Sequence, residues 1–212
     1  MRFFLTLLLL PLAACHPIFK REAPTLGAVR PQVVLTGGPY VQLGHVENPN
    51  GAVGLVGTVV NIVQDVKSVN LAERVERAVQ IPDVNAAFVD SLVKTLGEGP
   101  PFGTTTDPKA PLLQLEVQSY GLEVPYLGAP GEFVYNLRAR IYKPDGKRVY
   151  VAYFNCAIGA GDPSVPEVVF GVVNNVQTIN DMTDAELNQS FLTIADYCGQ
   201  QVVLKMRKHA GG

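Results

Sequence analysis

Three cysteines and three histidines are the residues of this 212-residue chain best suited to chemistry, and their spacing decides which chemistry is open. His16, His45 and His209 are scattered, with no pair three or four residues apart to put two ligands on one metal, and neither Cys156 nor Cys198 has further ligands nearby. No metal site is therefore expected. No Gly-x-Ser-x-Gly elbow is present, and neither late cysteine has a histidine close in sequence. The stretch from Gly97 to Gly103 lacks the Gly-Lys-Ser/Thr ending of a phosphate loop, and Pro100 and Pro101 have no amide hydrogen to offer an anion. Asp181 and Asp184 flank a helix start, where anions are electrostatically favoured without any catalytic purpose. These residues predict no catalytic group and no cofactor.

Cys15 stands apart because of what precedes it. Arg2 gives a basic start, Phe3 to Leu10 an apolar run, and Leu12 then leads to two small residues, Ala13 and Ala14, directly before the thiol. This is the layout of a secretory signal, and the run is far shorter than the roughly 20 apolar residues that span a bilayer. Leu12-Ala13-Ala14-Cys15 resembles the bacterial lipobox. The resemblance implies cleavage before Cys15 and lipid on its thiol, each buried methylene adding about 0.8 kcal/mol to membrane attachment. His16 follows instead of the Asp that would imply retention on the inner membrane, so the expected address is the outer membrane, facing the periplasm. Pro17 to Pro31 has no hydrophobic period, and residues 15 to 31 are expected to form a flexible tether between anchor and domain.

Export places the remaining cysteines where disulfides persist, so Cys156 and Cys198 become partners once Cys15 is consumed by lipid. The alternative is two reduced thiols acting as small buried hydrophobes. Removing residues 1 to 14 takes away one Arg and no acid, leaving 16 basic against 19 acidic side chains and a formal charge of −3. That balance excludes an electrostatic footprint for nucleic acid. The cluster Lys205, Arg207, Lys208 is read as cations completing the last turn of a helix.

With 47% hydrophobic and 17% charged residues, one domain with a sizeable core is expected over residues 32 to 208, followed by a tail at 209 to 212. Val33 to Thr36 and Tyr40 to Val46 read as one or two strands with a turn at Gly37-Gly38-Pro39. From Val53 to Val69 the spacing of Leu55, Val59, Ile62, Val66 and Val69 predicts a helix, despite Gly54 and Gly57, each costing about 1 kcal/mol relative to Ala. Either those glycines admit close packing or Gly54 lies in the first turn. Gly54, Gly57 and Asn61 are thus candidate contacts for a partner or an apolar ligand. Helices are also predicted from Leu71 to Val79, from Pro82 to Gly97, and behind the capping box Thr183-Asp184-Ala185-Glu186. Leu113, Leu115 and Val117 alternate with polar residues as a half-buried strand, then a loop is expected from Gly121 to Gly131. Phe133 to Ile141 and Val149 to Cys156 flank Lys143-Pro144-Asp145-Gly146-Lys147 as a hairpin. Val168 to Val176 fits strand or helix.

This order predicts an α+β (or α/β) fold: a single mixed or antiparallel sheet with helices packed mainly on one face. Lipobox, tether, helix pair, the strand from Leu112 to Tyr120 leading into Gly121 and the Asp145-Gly146 hairpin together resemble the auxiliary lipoproteins of envelope transport and assembly machines, including domains similar to the N-terminal part of TolB. The resemblance implies a non-enzymatic binding or scaffolding component of an envelope complex, held on the membrane through Cys15 and docked on an envelope protein. A carrier or sensor for an apolar ligand or lipid is the alternative. No functional residue carries over.

Overall fold

Tyr135, Leu137, Ala139 and Ile141 alternate with polar residues, and these four, with Phe133 ahead of them, are buried in the centre of the molecule. A period of two puts them on one face of a strand. The computed structural model describes residues 15 to 43, 70 to 124, 132 to 159 and 182 to 211. In chain order these form α1 (Cys15–Leu26), β1 (Ala28–Leu35), β2 (Pro39–Leu43), a helix α2 over residues 70 to 78, and α3 (Ile81–Gly97). Then follow β3 (Gly103–Thr104), β4 (Leu112–Val124), β5 (Glu132–Tyr142), β6 (Arg148–Gly159) and α4 (Asp184–Ala210). The expected α+β fold with one sheet is what forms: six strands, mixed, in the order β3-β1-β4-β5-β6, with β2 also on β4.

The β4, β5 and β6 meander is antiparallel, while β1 and β2 both run parallel to β4. β1 pairs with residues 112 to 117 and β2 with residues 120 to 124, so they are one broken strand along the same side of β4 that never reverses. The expected turn at Gly37-Gly38 is instead a step around Gln118. The amides of Thr36 and Gly37 both donate to the Val117 carbonyl, at 2.9 and 3.3 Å. A Cβ on Gly37 would fall 1.5 Å from the Gln118 carbonyl oxygen, which only glycine avoids. The register between β4 and β5 also shifts between Val117 and Ser119, so Gln118 is a bulge against β5, while Thr36 and Gly37 together face Val117 on the other side.

α3 and α4 lie side by side on the covered face. Val84, Phe88, Leu92 and Leu96 are fully buried along α3, and Leu187, Phe191, Ile194, Cys198, Val202 and Met206 along α4. Thr183 and Glu186 complete the expected capping box, and Gly211 at φ 101° closes the other end. The helices run parallel: the Gln80 amide donates to Asn188 Oδ1 at one end, and Arg207 donates to the carbonyls of Thr95 and Gly99, at 2.7 and 2.9 Å, at the other. Arg207 therefore satisfies carbonyls at the end of α3 as well as ending its own helix.

Three further expectations are corrected. Residues 15 to 31 are not a tether: α1 buries Phe19, Ala23 and Leu26, and Phe19 stacks against Phe102 and Tyr150. Burying a phenylalanine contributes about 1.5 to 3 kcal/mol, and Ala23 and Leu26 add to it, so the buried stripe favours packing of the segment onto the domain. The tail does not begin at 209, since α4 continues to Ala210 and His209 Nδ1 lies 3.0 Å from the Tyr150 hydroxyl. Nor does a loop begin at Gly121, because β4 continues to Val124 with β2 and β5 on either side.

Candidate functional site

The helices cover one face of the sheet, and the opposite face carries its own polar order. Glu116, Ser119 and Glu123 of β4, Asn136, Arg138 and Arg140 of β5, and Tyr153 and Asn155 of β6 share this outer face through their register. Glu116 and Arg138 sit directly opposite, and Arg138 Nη2 and Nε reach the two carboxylate oxygens at 2.7 and 3.1 Å. Arg140 Nη1 lies 3.1 Å from the same carboxylate. The Arg138 hydrogen bonds hold the Glu116 carboxyl below its usual range, against a smaller opposing effect of burial. The Arg138 guanidinium in turn lies 5.8 Å from the centre of the Tyr153 ring, which is 54% exposed.

A second cluster forms around Gly121. A Cβ there would meet the Tyr40 carbonyl at 1.8 Å and its ring at 3.1 Å, so the glycine lets β2 and the Tyr40 ring come close. The Tyr40 hydroxyl meets Glu123, and the Asn136 side-chain amide reaches Tyr40 and Ser119, each at 3.2 Å. Burial, then the bond to Glu123, pushes the Tyr40 phenol up. At neutral pH Tyr40 is neutral, Glu116 ionised and Arg138 charged. Such a set offers hydrogen bonds, charge and a ring, and is poorly poised to transfer a proton near pH 7.

Between the clusters an open groove of about 590 Å³ is lined by Gln118, Ser119, Asn136, Tyr153, Asn155 and Lys205, among others. It leads round β6, the last strand of the sheet order, to a smaller groove of about 200 Å³ against α4, bordered by Cys156, Tyr197 and Gln201. Lys205 spans both, donating to the Tyr153 carbonyl at 3.3 Å with its ammonium 4.8 Å from the Phe154 ring centre.

Of the residues singled out in the sequence, Cys156 and Cys198 are joined in a disulfide, with Cα atoms 5.5 Å apart, tying β6 to α4. Cys15 is the first residue of α1. Gly54, Gly57 and Asn61, together with His45, Asp181 and the stretch from Val168 to Val176, lie outside the described residues. Asp184 pairs with Arg74 at 3.0 Å rather than with another carboxylate. Among the described residues no three His, Cys, Asp or Glu side chains are grouped to hold a metal, and no helix is long and apolar enough to cross a membrane. The outer-face cluster was missed in the sequence because its members come from separate strands. Only the alternation of Arg138 and Arg140 with apolar neighbours marked that face as solvent-directed.

No protein-family model matches the chain, and no curated protein matches it. Among solved structures, an uncharacterised protein is similar at 12% identity and a TM-score of 0.32, over 83% of this chain and 91% of the other. A hypothetical protein from Chlamydia trachomatis is similar at 8% identity and a TM-score of 0.27, over 86% of this chain and 98% of its own. Similarity at that level transfers no function.

Proposed function

We propose that this is a non-enzymatic lipoprotein, anchored through lipid on Cys15 in the bacterial cell envelope, on the outer membrane facing the periplasm. There it serves as a binding or scaffolding component of an envelope complex. The observation that carries the binding part is the outer sheet face, where an exposed tyrosine stands beside an ordered Arg-Glu-Arg cluster and an open groove. Tyr and Arg are the side chains over-represented where protein partners bind tightly, and here Arg138 is already held in place by Glu116. The lipobox carries the anchor.

The test is site-specific photocrosslinking in intact cells, with p-benzoylphenylalanine at position 153 and, as control, at position 204, where Leu204 is exposed on the helical side. A single recurring envelope-protein adduct from position 153, lost on Arg138→Glu and absent from position 204, is the expected result. No adduct from position 153, or equal adducts from both positions, would overturn the reading.

A further inference from the structure

We infer that the domain sits directly on an anionic phospholipid surface, using the basic end built from α1, the β5–β6 turn and the end of α4. This rests on the lipid anchor proposed for Cys15. Phe19 is fully buried, and at 1.5 Å per residue it lies only about 6 Å along α1 from Cys15. Acyl chains on that cysteine therefore hold the domain against the headgroups, since no slack chain lies between.

The surface brought to the membrane is selectively cationic. Lys20 and Arg21 of α1, Lys147 and Arg148 at the hairpin and Lys208 of α4 are all exposed there. The Lys20 side chain lies against Gly211, and Lys143 of the turn meets Glu22 of α1, so the three elements form one continuous end. Of the acids at this end, Glu22 is paired with Lys143; Asp145 and Asp107, which accept from the backbone amides of Lys147 and Lys109, keep their charge but are outnumbered by the exposed cations. Glu98 shares the last turns of α3 with Lys94.

At the other end stand Asp83, Glu123, Glu132, Asp184 and Glu186, while α2 contributes two charges of each sign. The 27 residues of α4 separate these ends by about 40 Å, several times the Debye length of about 8 Å at physiological salt. Among the described residues a membrane thus meets the cationic end, although the mature chain carries a formal charge of −3. Each cation near such a surface raises partitioning about fivefold, the equivalent of about 1 kcal/mol. Three well-placed ones give on the order of 100-fold.

The test reconstitutes the full lipidated protein into phosphatidylcholine vesicles with or without 30% phosphatidylglycerol and labels lysines with a water-soluble acylating reagent. Intact mass reports separately whether Cys15 carries lipid. Protection of Lys20, Lys147 and Lys208 by tenfold or more in the anionic vesicles, reversed by 0.5 M salt, is expected. Equal labelling in both vesicles, or protection indifferent to salt, would overturn the docking while leaving the anchor standing. An unmodified Cys15 removes the anchor, and the same labelling comparison on that chain still decides whether the basic end meets anionic lipid. The variant Lys20→Glu/Lys147→Glu/Lys208→Glu, changed only at exposed positions, should release Arg148 to an arginine-specific reagent in anionic vesicles. Unchanged protection of Arg148 in that variant counts against the basic end.

Discussion

The rings of Phe19 and Tyr150 lie 4.2 Å apart, centroid to centroid, and join the first helix to the start of β6. Phe102 also stacks on Phe19, at 5.7 Å, so the first helix is fixed to the core through this side chain. Phe19→Ala removes both ring contacts and leaves a cavity, at a cost of about 3 to 5 kcal/mol. The expected outcome is a marked fall in the urea midpoint. A segment that merely tethered the domain would leave the midpoint unchanged.

Gly199 decides how closely the two long helices approach. A Cβ there would lie 2.7 Å from the Phe88 carbonyl oxygen and 2.9 Å from the Leu92 nitrogen, both backbone atoms of α3 that cannot swing aside. Alanine in a helix interior is worth about 1 kcal/mol over glycine, but overpacking typically costs about 1 to 3 kcal/mol. Gly199→Ala is therefore expected to destabilise, and Gly199→Leu more strongly, by thermal unfolding. A raised melting temperature for the alanine variant would contradict this packing.

The Cys156–Cys198 bridge spans a separation of 42 residues. Restricting the unfolded chain over such a loop stabilises by about 4 kcal/mol in the chain-entropy model. Reduction, or the pair Cys156→Ala/Cys198→Ala, should shift the denaturant midpoint downward by a corresponding amount. An equal midpoint with and without reductant would show that the bridge adds nothing to stability.

Acid should weaken the fold through Glu116. Its folded pKa is depressed, chiefly by the Arg138 hydrogen bonds, so its contribution is present above the unfolded value of 4.5 and lost as pH falls through the lower folded value. Glu22, depressed chiefly by Lys143, and Glu186, depressed chiefly by the Thr183 amide, change in the same direction. Urea midpoints taken from pH 7 to pH 3 should decline below about pH 4.5, and Glu116→Gln should flatten part of that decline. An unaltered pH profile for the variant would refute the assignment to Glu116.

Local periodicity was enough to reveal the β5–β6 hairpin, the strand through Leu113 to Val117, α3, the capped α4 and the single-sheet α+β class. In each, apolar residues repeat at a period of two or 3.6 and the stop signals are local: Asp145-Gly146, Gly97, Thr183 with Glu186. The pairing of Cys156 with Cys198 was legible too, as the pair left over on the expectation that lipid takes Cys15. The spacing of Phe19, Ala23 and Leu26 is helical too, but Pro24 and the charged run beside it hid a short helix whose stability comes from Phe102 and Tyr150, distant in sequence. Likewise Gly37 and Gly121 read as breakers, and only the approach of Gln118 and Tyr40 shows that they keep the strand beside β4 continuous. Which polar residues stand together on the outer face, and which cations share one end with Cys15, depends on strand register and helix packing. Those are set by contacts between distant segments, to which a one-dimensional pattern is blind.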